Sequence, residues 1–150
     1  MIDNPHTAKY WTEENYKDLQ KAKNFKDLYK IAHQVLDRMP EDIGQVCGPI
    51  ATGGLGSVEA NLKKFDETVR ILQEEGKIIF DQIPFEWPMQ ELKKTVTEGV
   101  KSILEDFYLP IFKSGKITTL YFIKGWETSK GANWEHDQAK QLGLEIVYLV

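Results

Sequence analysis

Apolar positions recur along the chain in two rhythms, and their alternation predicts the elements. Phe25, Leu28, Ile31, Val35 and Leu36 follow the period of one helix face. Residues 12–39 read as two helical pieces, with Asn24 a suitable N-cap and Pro40 an end. Tyr10 and Trp11 anchor the preceding arm against the body. Gln45-Val46-Cys47 is a short apolar run, read as the first strand. Leu62, Phe65, Val69 and Leu72 make one face of the next helix, which Gly76 stops. Lys77-Ile78-Ile79-Phe80 reads as the second strand, and residues 81–88 as a loop at its carboxyl end. Leu92, Val96, Val100, Ile103 and Leu104 predict another helix, and Pro110 breaks or kinks the chain beyond it. Ser114-Gly115 is a turn, and Ile117 to Ile123 the third strand. A helix over 130–142 and a strand over 145–149 close the pattern.

Strands separated by helices imply an α/β fold whose mostly parallel sheet, of four to five strands, is covered on both faces. Residues 1–44 form an N-terminal helical extension and residues 45–150 the α/β domain. Ligands of such sheets bind beyond the carboxyl ends of the strands. The loops 48–57, 81–88 and 124–131 lie there and hold most of the glycines.

Composition narrows the classes of function. At 150 residues, 41% hydrophobic and 28% charged, the chain has the make-up of a soluble globular domain. The formal net charge is −4 and no basic stripe is present, which argues against a nucleic-acid polymer. No apolar run is long enough for a membrane span, and the first residues lack a signal-peptide pattern. The lone Cys47 makes no internal disulfide, so a reduced, cytoplasmic protein is expected. His6, His33 and His136 are too dispersed for a metal trio, and no metal or organic cofactor is implied.

Chemistry concentrates in the loops. Gly48-Pro49-Ile50 opens a glycine loop in which Gly53, Gly54 and Gly56 permit close backbone approach. A helix start beside such a loop is an anion site, and a tight strand-to-helix turn accounts for the same residues. The spacing fits neither a Walker A loop nor a dinucleotide fingerprint. Gly53-Gly54-Leu55-Gly56-Ser57-Val58-Glu59 also approaches the motif of nucleotide phosphoribohydrolases, with its glutamate one residue early. Glu135 falls near the start of the last helix, where the dipole favours an ionised carboxylate suited to attack an anomeric carbon. A glutamate there also serves as a solvated or capping residue. Ser129 and Gly131 precede it and suit a sugar hydroxyl or phosphate. Phe85 and Trp87 either stack a base or pack in the core, and Trp126 either covers a sugar or lids the sheet.

Gly48-Pro49-Ile50, the glycine loop, Asn61, Phe65, Gly76 and Phe80 precede Gly125-Trp126-x-x-Ser129-x-Gly131-Ala132-x-x-Glu135. Together they resemble the nucleoside 2-deoxyribosyltransferase-like superfamily, closest in pattern to its small bacterial and phage branch of DUF4406-type proteins. The resemblance covers roughly residues 45–150. It implies a flavodoxin/Rossmann-like three-layer fold, often paired into homodimers. It also implies cleavage or exchange of the N-glycosidic bond of a small-molecule nucleoside or nucleotide. Glu135 would be the nucleophile, Ser129, Gly131, Gly125 and Trp126 would contact the sugar or phosphate, and the Gly48-to-Gly54 loop would meet a 5′-phosphate. Active members carry acids where this chain has Thr118 and Leu109-Pro110. Asp106, Asp81 and Glu86 are therefore the candidates for the general acid, decided by which reaches the pocket beside Glu135. A nucleotide-binding module that has lost its acids is the alternative.

Overall fold

The computed structural model describes residues 1–95 and 100–150. Helices α1 (Pro5–Ala8), α2 (Glu13–Lys21) and α3 (Phe25–Arg38) precede strand β1 (Ile43–Cys47). Helices α4 (Val58–Glu74) and α5 (Ile83–Lys93) come next. A short α6 (Val100–Ser102) runs into a π-helical stretch (Ile103–Tyr108) and α7 (Leu109–Lys113). Strand β2 (Ile117–Phe122), a 3₁₀ turn (Trp126–Thr128), α8 (Lys130–Leu142) and β3 (Glu145–Tyr148) complete the order.

The architecture is mixed α/β with a three-stranded parallel sheet in the order β1-β2-β3. This is fewer than the four to five strands expected. Residues 77–80 lie alongside β1 but pair through one bridge only, Gly44 with Ile79. Gly44 N donates to Ile78 O and Phe80 N donates to Gly44 O, both at 2.8 Å. The chain turns into α5 directly afterwards, so no further rung forms.

Alternation along the strands separates two apolar clusters. Ile43, Cys47, Ile117, Leu120 and Phe122 join a cluster supplied by α3, α5, the π stretch and α7. Val46 and Ile123 join Phe65, Val69 and Leu72 of α4 on the opposite face. The first cluster also takes in Trp11, Phe25 and Leu28, so the N-terminal helices share the core of the sheet. Local signals set several boundaries as predicted. Asn24 Oδ1 accepts from Asp27 N at 2.8 Å to start α3. Gly143, at φ 71°, ends α8.

Two stretches differ from expectation. Residues 81–88 are not a loop, because α5 begins at Ile83. Pro84 occupies its first turn, where a missing N–H costs nothing, and Pro88 is carried inside. The helix predicted through Val96 falls partly outside the described residues. Its later part contains the π stretch rather than a break at Pro110: Leu109 N donates to Leu104 O, one residue beyond α-helical reach, and Pro110 needs no acceptor.

Phe85 is fully buried, its ring 5.3 Å from Trp11, 5.9 Å from Phe80 and 5.2 Å from Phe107. It is a core residue and has no face free for a base. Phe85→Ala is expected to lower the unfolding free energy by ~3–5 kcal/mol, measured by urea denaturation. A loss below about 1 kcal/mol would contradict this placement.

Candidate functional site

The loops after β1 and β2 and one flank of α5 enclose a cavity of about 310 Å³. Gly48, Ile50, Ala51 and Thr52 line it from the first loop, and Ser129, Lys130, Gly131, Ala132 and Glu135 from the start of α8. Gln82, Glu86, Gln90 and Lys93 line it from α5 and its N-cap, and Ile103, Leu104 and Tyr108 from the π stretch. The helical period brings positions 82, 86, 90 and 93 to one side. Two carboxyls, Glu86 and Glu135, therefore enter one pocket from facing helices.

Both carboxyls are buried, at 3% and 6% exposure. Burial pushes the Glu135 carboxyl up to about 8; a hydrogen bond from Cys47 opposes the rise and the neighbouring Glu86 adds to it. Burial pushes Glu86 up to about 7, opposed by hydrogen bonds from Tyr108 and Gln90 and by the charge of Lys93. The Tyr108 hydroxyl donates to Glu86 Oε1 in a short hydrogen bond. Gln45 Nε2 lies 3.5 Å from Glu135 Oε2. Burial also pushes the Cys47 thiol up, so it is a proton donor here. Lys130 is exposed and Lys93 half-buried, giving the cavity cationic groups around a buried acidic floor. Glu135 is not the dipole-ionised carboxylate expected from sequence. It sits beyond the first turn of α8, and burial outweighs the helix dipole.

Ser129 is the N-cap of α8: its Oγ accepts from Ala132 N at 3.2 Å while facing the cavity. Gly131 lies beside it. Of the other predicted contacts, Gly48, Ile50 and Glu86 also line the cavity, whereas Pro49, Gly53, Gly54, Phe85, Gly125 and Trp126 do not. Gly54 has φ +63°, and a Cβ there would sit 2.5 Å from Asn61 Oδ1 and 2.6 Å from Pro49 Cβ. Asn61 holds this loop by accepting from Leu55 N and donating to Ile50 O and Gly53 O. Cross-loop bonds from Gly54 N to Thr128 Oγ1 and from Lys130 N to Thr52 Oγ1 fix the two loops together. Trp126 succeeds Gly125, outside the cavity lining, and stacks on His136 at 4.4 Å, which in turn meets Tyr148 Oη at 2.6 Å.

The three acid candidates separate. Glu86 reaches the cavity. Asp106 does not line it. Asp81 is buried but faces the arm: its Oδ2 accepts from Thr7 Oγ1 and its Oδ1 from Ile83 N. It borders a larger concavity of about 870 Å³ on the other flank of α5. That concavity holds Arg70 paired with Asp3 and Asp66 and has no comparable buried pair, so size is a poorer guide than chemistry. Thr118 is at the far end of β2, its Oγ1 3.4 Å from Ile43 O.

A family model described as Domain of unknown function (DUF4406) matches residues 46–148. The chain belongs to the DUF4406 family. The match takes in Gly48, Glu86, Tyr108, Ser129 and Glu135, and Gln45 lies just before it. Neither a curated protein nor a solved structure matches the chain. Among the described residues no group of three or more His, Cys, Asp or Glu side chains could hold a metal ion. Among them, too, no helix is long and apolar enough to cross a membrane.

Gln82, Gln90, Lys93, Tyr108, Gln45 and Lys130 are site residues that sequence reading passed over. A polar Gln45 within an apolar strand and the polar period 82-86-90-93 are the signals that point to them.

The buried pair has a consequence for stability. Each carboxyl has a higher value in the folded chain than its ordinary 4.5, so the folded state binds the proton more tightly. Its stabilising effect is complete below pH 4.5 and is lost as pH rises to about 7 for Glu86 and about 8 for Glu135. Glu86→Gln and Glu135→Gln should therefore each raise the melting temperature above about pH 8, relative to the parent. That gain should vanish as pH falls toward about 5. Melting curves across this range that run parallel would contradict the burial of charge.

Proposed function

We propose that this protein cleaves or exchanges the N-glycosidic bond of a nucleoside or nucleotide, with Glu135 as the carboxylate nucleophile. The observation that carries the reading is the meeting of Glu86 and Glu135 in one buried pocket beyond the strand ends. Two adjacent buried carboxyls retain one proton between them near neutrality, and the reaction runs from the form in which that proton is on Glu86 and Glu135 is ionised. The reading also draws on the resemblance of the Gly125-to-Glu135 segment to deoxyribosyltransferase-like proteins. The parallel order of residues 77–80, β1, β2 and β3, with apolar clusters on both faces, supports a flavodoxin-like three-layer fold. Homodimer formation belongs to the same proposal.

In this mechanism a Glu135 oxygen attacks the anomeric carbon as the carbon–nitrogen bond breaks. The electron pair leaves with the base, which takes its proton from Glu86. Water, deprotonated by the Glu86 carboxylate, then opens the glycosyl ester and completes hydrolysis. An acceptor base attacking the same carbon instead completes transfer. Lys93, Lys130 and the positive end of the α8 dipole suit a phosphate on the substrate.

One observation favours a second reading, a nucleotide-binding module. Glu135, raised to about 8, holds its proton at neutral pH.

The test is incubation with a pool of nucleosides and their 5′-monophosphates, following free base by chromatography. The parent should release base, with a rate highest between about pH 7 and pH 8, where the pair holds one proton; Glu135, at about 8, keeps it more often than Glu86, at about 7, so the reactive arrangement, with the proton on Glu86, is the minority one. Glu135→Ala should abolish release, and Glu86→Gln should slow it about 10²-fold or more. No release from any member, with or without an acceptor base, combined with a ligand-induced rise in melting temperature, would establish the binding module instead.

A further inference from the structure

The π-helical stretch shapes the cavity and carries the Tyr108 hydroxyl that hydrogen-bonds one of its two carboxyls. In a π turn, residues five apart share a face, so Ile103 and Tyr108 both line the cavity while Leu104 remains beside them. An α-helical turn would rotate Tyr108 away from Ile103. Tyr108 is buried at 4% exposure, and its hydroxyl donates to Glu86 Oε1. A hydrogen bond from the Gln82 amide opposes the rise of the Tyr108 hydroxyl. Gln82 is 1% exposed, and its Oε1 has no partner among the described residues. The Tyr108 proton is directed at Glu86 Oε1.

We propose that Tyr108 is a positioning residue for Glu86, holding Oε1 as an acceptor so that Oε2 alone carries the transferable proton toward the substrate. The proposal rests on the glycosidic reading for its kinetic consequence, whereas its structural content, the Tyr108-to-Glu86 bond, can be tested without any substrate.

The groups around Glu86 make Tyr108 the candidate with leverage. On its own helix, Gln90 also bonds Glu86, and Lys93 acts through its charge. From α8 come Glu135, a like charge when ionised, and Lys130, a cation in the lining of the same cavity. From the π stretch comes the Tyr108 hydroxyl, whose own proton is held firmly by burial and by Glu86. Tyr108 therefore orients Glu86 without itself giving up a proton to the base.

The experiment has two arms. In the first, infrared spectra follow the Glu86 carboxyl through a pH titration of Glu135→Gln protein, as the difference from the protein that also carries Glu86→Gln. Adding Tyr108→Phe should move the Glu86 midpoint upward, because a donor to its ionised form is lost. An unmoved midpoint in a folded protein would overturn the proposal whatever the activity. In the second arm, base release is compared between an ordinary nucleotide that the parent consumes and its counterpart with an N-methylated, already cationic base. The cationic base leaves without a proton. Tyr108→Phe should slow the ordinary substrate about 10–10²-fold and the cationic one less than about threefold. Equal losses on both would assign Tyr108 a merely structural role and overturn the proposal. Combining Tyr108→Phe with Glu86→Gln should add little to Glu86→Gln alone, since both act through one proton, whereas simple additivity would count against it. If the parent releases no base at all, the glycosidic reading fails, and the infrared arm still decides the placement of Tyr108.

Discussion

Two carboxyl groups share one small, largely apolar pocket, and much of the surrounding structure is arranged around that fact. An ionised carboxylate out of water is costly, and a second one beside it more so. The site meets this constraint by keeping protons on the pair and by surrounding it with donors. Tyr108, Gln90 and Lys93 act on Glu86, while Gln45 and Cys47 face Glu135. The asymmetry is chemical: a phenol, an amide and a cation on one side, a long amide contact and a weak thiol donor on the other. The two carboxyls are thereby made unequal: the donors and the cation hold Glu86 at about 7, below Glu135 at about 8.

Delivering those groups requires elements from most of the chain. Parallel strands place the starts of two loops at one edge of the sheet, and α5 and α8 bring one glutamate each. The loops are fixed by side chains outside the cavity. Asn61 ties three backbone groups of the glycine loop, and Thr52 and Thr128 tie that loop to the start of α8. The glycines at positions 53 and 54 permit this close packing and do not line the cavity. On the other flank, Asn4, Gln73, Thr7 and Asp81 form a buried hydrogen-bonded series that docks the N-terminal arm. Asp81 is committed there, which explains its distance from the cavity despite being a neighbour in sequence of Gln82.

Much of the fold was legible before the structure. The apolar faces of α3 and α4 follow a helical period, and Asn24, Gly76 and Gly143 mark ends by local chemistry. The strands near 45, 117 and 145 were legible as short apolar runs. Helix α5 was hidden because Pro84 and Pro88 mimic a loop and because its informative period is polar. The second strand was overread, because four apolar residues satisfy a strand pattern whether or not a neighbour pairs with all of them. At the site, Glu135, Ser129 and Gly131 stood out through their motif, and Glu86 was one of three acids that the sequence left unranked.

Local sequence is enough to set most of the alternation of helices and strands, caps such as Asn24 and Gly143, and the concentration of glycines and polar residues after the strands. Those features depend on periods and side chains within a few residues of one another. It takes the folded arrangement to place Glu86 rather than Asp81 or Asp106 with Glu135, to bury Phe85 in the core, and to bring Tyr108 to Glu86 across 22 positions. Those outcomes turn on which helix face meets which, and on burial that raises a carboxyl where the local helix dipole would lower it. Both are set by packing between distant segments, and no local pattern encodes them.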